Sequence, residues 1–340
     1  MPYPHPPHSP PPARAMCTPP PRNVLAAFLA VLLLAGGVLT GCGGSASGVT
    51  QGNEKNIHLV YVNWVEGVAL AHVMDALLTD SLGMEVERTE VTGAGLAFSS
   101  VAGDDADVFT EVWLPTTHRS GWQKYKSELT KVGQWYDSTS VGLVVPAGSK
   151  LQSVKDLSKH RDELGGEIHG IESGAAVNQQ ARQVLKNNDI SGFDLIASSG
   201  PAAWSALQSA SQADDPIVVT GWKPHWKWGR YDLRYLEGAQ TGQSPVFGKP
   251  EQVVMVADTS FANRYSERVV QFFDNVNVGD EALESLMEPF RPNSDVTDQM
   301  GAAREWIRNH RQLVAGWVPP PDSVQEDGGA AQGSAQTAAR

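Results

Sequence analysis

The residues best suited to chemistry lie between Asp107 and His118, where a tryptophan and a histidine flank a proline. An apolar run predicts a strand over 106–113 that ends at Trp113, and Pro115 prevents the strand from continuing. The face of an indole attracts a cation, whereas the imidazole of His118 can hydrogen-bond an anion. Such a pair suits a zwitterionic ligand. A core tryptophan beside a solvated histidine is the alternative interpretation of the same residues.

Two further tryptophans follow apolar runs in the same way. Trp64 comes directly after the predicted strand 57–63, and Trp222 ends the predicted strand 216–222. Because Trp113 holds an equivalent position, the three indoles could converge if the elements that carry them are brought together. The fold therefore has to place three strand ends at one point.

The pattern around Trp64 predicts a βαβ unit. A strand over 57–63 is followed by apolar residues at helical spacing over 68–82 and by an alternating run over 84–91. Two strands joined by a helix in this way pair in parallel through a right-handed crossover. The chain therefore begins as an α/β domain.

The rest of the chain repeats the α/β pattern and then returns. We interpret 129–136 as a short connection and 140–146 as a strand that leads into a second α/β unit, and the run over 252–257 brings the chain back. The predicted architecture is α/β, with two lobes joined by two crossing strands and a ligand cleft at the carboxyl ends of the strands. The expected boundaries are 57–145 and 249–318 for lobe I, and 146–248 for lobe II.

Composition narrows the classes of function. The 340 residues carry a formal net charge of −12, from 26 basic and 38 acidic residues, and contain no long basic run, which excludes a nucleic-acid-binding protein. The chain has two cysteines, and we expect Cys17 to be removed with a leader and Cys42 to be modified. No thiol then remains for a disulfide, a zinc site or a nucleophile.

The N-terminus has the pattern of an export signal. Residues 24–38 form an apolar run of the length of a signal-peptide core, too short for a comfortable membrane span. The Leu-Thr-Gly-Cys sequence that ends at Cys42 resembles the lipobox of bacterial lipoproteins, which implies a lipid anchor on the outer face of the cytoplasmic membrane. A plain signal peptide and an uncleaved anchor are the alternatives. The expected segments are a signal peptide at 1–41, with a start at Met1 or Met16, a flexible tether at 42–56 and a disordered tail at 319–340.

Four segments resemble the substrate-binding subunit of glycine betaine ABC importers, the OpuAC-like osmoprotectant-binding proteins. They lie at 61–66, 106–118, 171–175 and 217–226, and the Trp-Leu-Pro-Thr-Thr-His and Thr-Gly-Trp-Lys-Pro-His-Trp sequences are the specific part. The resemblance implies a two-lobed periplasmic-binding-protein-like fold of type II that captures glycine betaine or a related quaternary-ammonium solute. A membrane permease driven by a cytoplasmic ATPase is the implied partner. The ligand-binding residues implied by the match are Trp64, Trp113, His118, Gly174, Ala175 and Trp222.

The physics of a betaine is consistent with those residues. A trimethylammonium group has no N–H to donate, so aromatic faces suit it better than hydrogen-bond acceptors. Gly174 and Ala175 precede a predicted helix, whose free N–H groups and positive end would face the ligand carboxylate. Glu66 could add a negative group near the cation, although a solvated surface residue is the simpler interpretation.

Other functions and ligands stay open at this point. The chain has no His-Glu-x-x-His, no Gly-x-Ser-x-Gly and no P-loop, so we expect no enzyme, no cofactor and no metal site. Choline, carnitine, proline betaine or ectoine could replace glycine betaine, and choline would leave the anion contacts unused. A sensory or structural lipoprotein would differ only in lacking a permease.

Overall fold

The computed structural model describes residues 52–321 of the chain. The predicted signal peptide, Cys42 and most of the tether and tail lie outside the described residues. None of the helices between residues 52 and 321 combines the length and apolar character needed to cross a bilayer.

The described residues form two five-stranded sheets, with strand orders 2-1-3-10-4 and 7-6-8-5-9 in chain numbering. The strands are β1 (Asn56–Val62), β2 (Glu85–Val91), β3 (Val108–Leu114), β4 (Leu129–Tyr136), β5 (Ser140–Pro146), β6 (Glu167–His169), β7 (Asp194–Ile196), β8 (Val219–Lys223), β9 (Leu233–Gln240) and β10 (Gln252–Asp258).

Helices follow most of the parallel strands. They are α1 (Val65–Leu82), α2 (Ala94–Ala102), α3 (Arg119–Tyr125), α4 (Ala176–Asn187), α5 (Gly200–Ala213), α6 (Lys227–Arg230), α7 (Phe261–Arg264), α8 (Glu267–Asn275), α9 (Asp280–Met287), α10 (Gln299–Asn309) and α11 (Arg311–Ala315). Short 3₁₀ helices occur at Val154–Lys159 and Glu288–Phe290.

The two sheets share one plan. In the first, β1 pairs in parallel with β2 and β3, and β10 is the antiparallel strand beside β3. In the second, β6 pairs in parallel with β7 and β8, and β5 is the antiparallel strand beside β8. The predicted βαβ unit of β1, α1 and β2 is confirmed. Since β3 and β8 are both the third strand of their sheets, Trp113 and Trp222 lie at equivalent places.

The chain passes between the sheets at 137–139 and again at 241–251. The two passages are bonded to each other, because the Thr139 N–H donates to the Glu251 carbonyl at 3.3 Å and the Glu251 N–H donates to Thr139 Oγ1 at 3.1 Å. The expected boundary assigns residues up to 145 to lobe I. In the structure, β5 already pairs with β8 and β9 of the second sheet.

One predicted connection is a strand. Residues 129–136 form β4, which pairs antiparallel with β10 at the edge of the first sheet. Its middle residues lack a regular apolar–polar alternation, and its partner strand follows more than a hundred residues later in the chain. Local periodicity could not reveal that pairing.

Candidate ligand-binding site

One cavity gathers residues from the elements of both sheets. The space open to the centre of a water molecule is about 30 Å³. Trp64, Trp113, His118, Ala175 and Trp222 line it, and Gly174 does not. The full lining is Trp64, Glu66, Trp113, Thr117, His118, Val141, Ile171, Ala175, Ala176, Val177 and Trp222.

The three tryptophans reach the cavity from strand ends, as their spacing predicts. Trp113 and Trp222 are the penultimate residues of β3 and β8, and Trp64 is the N-cap residue of α1, two residues after β1. Each side chain is at most 7% exposed. Because each indole lies where a strand meets the cavity, the sheets hold three aromatic rings around one small volume.

Each of these indoles donates its Nε1–H to a carboxylate. A buried N–H needs an acceptor, and an ionised or shared carboxyl oxygen also orients the ring. Two of the bonds join residues of the first sheet's elements to residues of the second. The pairs are Trp64 with Glu172 at 3.0 Å, Trp113 with Glu111 at 3.0 Å, and Trp222 with Glu66.

The interpretation of Glu66 as a solvated surface residue is wrong. Glu66 lies in the first turn of α1, is fully buried and lines the cavity. Burial raises the pKa of Glu66 to about 7. Burial, followed by the negative charge of Glu66, raises the pKa of the neighbouring Glu111 well above its usual value. Each carboxyl influences the other, so Glu111 keeps its proton while Glu66 is the one that ionises near neutral pH.

Gly67 makes this carboxyl pair possible. A Cβ at Gly67 would stand 1.9 Å from Glu111 Oε2, so any side chain there would displace that carboxyl. The Glu66-Gly67 sequence thus combines the acid and the space beside it. Glu111 itself lies in β3, all seven residues of which are buried.

A buried lysine lies on the Trp222 ring. Lys227 is 6% exposed, and its Nζ is 4.4 Å from the ring centroid. Burial lowers the pKa of Lys227 to about 8, and the charge of Glu66 acts in the opposite direction. Burial and the Lys227 charge lower the pKa of His225. The Nδ1 of His225 accepts a hydrogen bond from the backbone N–H of Lys227 at 3.3 Å. His225 therefore supports the loop as a neutral side chain.

His118 enters the cavity as a neutral hydrogen-bond donor. Its Nδ1 accepts the backbone N–H of Trp113 at 2.9 Å, so the proton resides on Nε2, which has no partner among residues 52–321. Burial lowers the pKa of His118 to about 3, which keeps the ring uncharged at neutral pH. The ring stacks on Trp64 with centroids 5.5 Å apart.

The start of α4 supplies further donors. Ala175 is its N-cap residue and provides no side-chain cap, while its own N–H donates to the Glu172 carbonyl at 2.9 Å. The N–H groups of Ala176 and Val177 have no acceptor within the helix, because they open its first turn. A Cβ at Gly174 would meet no atom within 4 Å, so a close backbone approach does not explain that glycine. The N–H groups without an acceptor, those of Ala176 and Val177, therefore lie two residues beyond Gly174 and Ala175, the residues implied by the resemblance.

The loop that carries His118 is tied to the second passage between the sheets. The buried carboxylate of Glu251 accepts the N–H of Thr117 at 2.9 Å, and also the N–H of Thr116 and the hydroxyl of Thr117. Sequence reasoning missed Glu251, since its partners are more than a hundred residues away. Glu111 could have been identified from the sequence, because it is an acid inside the apolar run of β3.

Within residues 52–321, no three His, Cys, Asp or Glu side chains are grouped as metal ligands.

A family comparison covers most of the chain. Residues 55–309 match the model for the substrate-binding domain of ABC-type glycine betaine transport systems. A glycine betaine/carnitine transport binding protein of Listeria monocytogenes is 29% identical over 175 residues, which are 51% of this chain and 55% of that protein. The chain thus spans about half the length of that relative.

Solved structures share the fold. Lactococcal OpuAC in its closed conformation with glycine betaine aligns with a TM-score of 0.70 at 29% identity, covering 78% of this chain and all of that one. A glycine betaine/L-proline-binding protein from Borrelia burgdorferi aligns with a TM-score of 0.71 at 25% identity, covering 78% of this chain and 97% of that one. The two-lobed architecture expected from the sequence is confirmed.

Proposed function

The chain belongs to the family of substrate-binding domains of ABC-type glycine betaine transport systems, and from that premise we propose that it captures glycine betaine or a closely related quaternary-ammonium solute. The observation that carries this proposal is the meeting of Trp64, Trp113 and Trp222 at one cavity. They come from three separate strand ends, and the packing of a hydrophobic core does not require three tryptophans around a cavity.

The tryptophan side of the cavity suits the trimethylammonium group. Each indole face attracts a cation with about 0.5–2 kcal/mol, more when water is excluded. The carboxyl groups bonded to the indole N–H groups hold the rings in place, and Glu66 adds negative charge nearby when it is ionised. A cationic head group without N–H donors would be stabilised here by the rings and by the field of Glu66.

The opposite side suits a carboxylate. We propose that His118 Nε2–H and the N–H groups of Ala176 and Val177 hydrogen-bond the ligand anion, in place of the pair Gly174 and Ala175 expected from the sequence. The positive end of the α4 dipole acts on the same group. His118 does not have to gain a proton to bind the anion, because the neutral imidazole donates through Nε2–H.

The small cavity favours glycine betaine over the longer carnitine. Choline carries no carboxylate, so His118, Ala176 and Val177 would lack an anionic partner. Proline betaine has both groups and is the nearest alternative ligand, whereas ectoine has no quaternary nitrogen.

We further propose how the lobes close, how the protein is attached to the membrane and which partner receives the ligand. The lobes follow the two sheets and close over the ligand by rotation about 137–139 and 241–251. The receptor is an extracytoplasmic lipoprotein attached through Cys42, it delivers its ligand to a permease with a cytoplasmic ATPase, and it catalyses no reaction. The pattern at residues 39–42 supports the anchor, and the family supports the transporter.

Calorimetric titration of the purified full-length chain tests the proposal. We expect glycine betaine to bind with a Kd in the micromolar range, about −8 kcal/mol, with a change in tryptophan fluorescence. Choline, carnitine, proline betaine and ectoine rank the alternatives. Absence of heat and of a fluorescence change with every quaternary ammonium compound would refute the betaine assignment.

A further inference from the structure

Trp222 lines two cavities. One is the candidate ligand cavity, and the other, of about 20 Å³, is lined by Trp222 together with His225, Lys227 and Thr220. Lys227 lines only the second cavity, and its ammonium lies 4.4 Å from the centroid of the indole that lines both cavities. The Trp222 ring is therefore shared by an internal cation and a ligand cation.

Glu66 acts on the same indole from another direction. Its carboxylate accepts the Trp222 N–H and also lines the ligand cavity. A negative group at the N–H edge and a positive group on one face have opposite effects on how strongly the other face attracts a cation. One aromatic ring thus receives two opposed charges.

We propose that Glu66 and Lys227 set the charge selectivity of the cavity: the Glu66 carboxylate strengthens the binding of a cationic ligand group, and the Lys227 ammonium weakens it through Trp222. This inference rests on the proposed function and concerns how the same site discriminates between a cation and a neutral group of equal shape. Glu66 acts directly on the ligand, whereas Lys227 acts through the ring.

The other ionisable groups around these two leave them as the adjustable pair. Glu111 keeps its proton, and His118 and His225 are neutral, for the reasons given above. Glu172 is half-buried and bonds Trp64 rather than Trp222. On the side of α6, Glu284 lies against Gly229, and Glu288 pairs with Arg230 at 3.5 Å.

The test compares glycine betaine with 3,3-dimethylbutanoate, which has the same shape and carboxylate but a neutral carbon in place of nitrogen. The ratio of their affinities, measured by calorimetry, reports how strongly the cavity favours positive charge. In the wild-type protein we expect this ratio to rise between about pH 6 and pH 9, because loss of a proton from Glu66 or from Lys227 makes the surroundings more negative.

Two variants change the ratio in opposite directions. Glu66→Gln keeps an oxygen for the Trp222 N–H but removes the charge, so the ratio at pH 8 falls roughly fivefold and its rise near pH 7 disappears. Lys227→Met keeps the buried stem but removes the ammonium, so the ratio at pH 7 increases roughly threefold and its rise near pH 8 disappears. A purely structural role would alter both affinities together and leave the ratio unchanged.

Lys223→Met is the matched control. The Nζ of Lys223 also lies 4.4 Å from a tryptophan ring, but that ring belongs to Trp228, which does not line the ligand cavity. We expect its ratio to equal that of the wild type. Thermal melting verifies the fold of each variant, and if Glu66→Gln does not fold, the increase expected for Lys227→Met decides alone.

The outcomes separate the two proposals. Wild-type binding of glycine betaine, with ratios in both variants within twofold of the wild type, would overturn the charge-setting role and leave the proposed function intact. Equal wild-type affinities for the two probes would also overturn the charge-setting role. A wild-type protein that binds no betaine would overturn both proposals.

Discussion

The helices that follow the first parallel strand of each sheet, α1 after β1 and α4 after β6, begin at the same cavity in opposite electrostatic states. The first turn of α1 contains its own acid, Glu66, which neutralises the positive helix end. The first turn of α4 contains no acid and no side-chain cap, so the N–H groups of Ala176 and Val177 stay free. One plan of strands and helices, used twice, thus provides an acidic side and a donor side.

This difference explains how a small cavity can be matched to a zwitterion. Trp64 precedes α1 and Glu66 lies within it, so the acidic helix start is surrounded by aromatic faces. Small residues open α4, and therefore an anion could approach its backbone closely. The polarity of the site comes from what each helix start contains rather than from a difference in fold.

An acid at the start of α4 should remove the electrostatic difference between the two helix starts and have the largest effect on binding. Ala176→Glu would make α4 resemble α1, and a carboxylate near the ligand anion should weaken glycine betaine binding roughly a hundredfold or more, measured by calorimetry. Ala176→Gln has nearly the same volume without the charge and should lose much less affinity. Equal losses in the two variants would mean that steric exclusion, not charge, is responsible.

Removing a ring tests the aromatic side alone. Trp113→Ala should lower the affinity for glycine betaine by roughly ten- to thirtyfold, and that for choline by a similar factor, because both ligands present a trimethylammonium group. Trp122→Ala removes an indole outside the cavity and serves as control. Unchanged betaine affinity in a folded Trp113→Ala protein would contradict the aromatic cage.

Removing the imidazole should have a smaller and more selective effect. His118→Ala takes away one neutral donor, so glycine betaine affinity should fall roughly tenfold, whereas choline, which has no carboxylate, should lose roughly twofold or less. Both affinities come from the same calorimetric series. Equal losses for the two ligands would count against hydrogen bonding between His118 and the anion.

The residues of the site that could be predicted from the sequence lie at or just after the ends of strands. Trp64, Trp113 and Trp222 were recognisable because each follows an apolar run, and His118 because it comes within five residues of Trp113. The sequence pattern predicts a helix over 178–187, and α4 begins two residues earlier, at Ala176. The donors implied by the resemblance, Gly174 and Ala175, stay a prediction. The first N–H groups of α4 that lack an acceptor within the helix are those of Ala176 and Val177, and the N–H of Ala175 already donates to the Glu172 carbonyl.

The sequence by itself determined the alternation of strands and helices, the acidic composition and the strand-end tryptophans, because these depend on local periodicity and residue type. Tertiary structure alone decided that β4 pairs with β10, that Glu66 is buried under Trp222, and that Lys227 lies on the same ring. The first two contacts join residues from 117 to 156 positions apart, and the third depends on burial of the lysine. Burial places an apparent surface glutamate in the cavity wall and raises its pKa, and no local pattern encodes that burial.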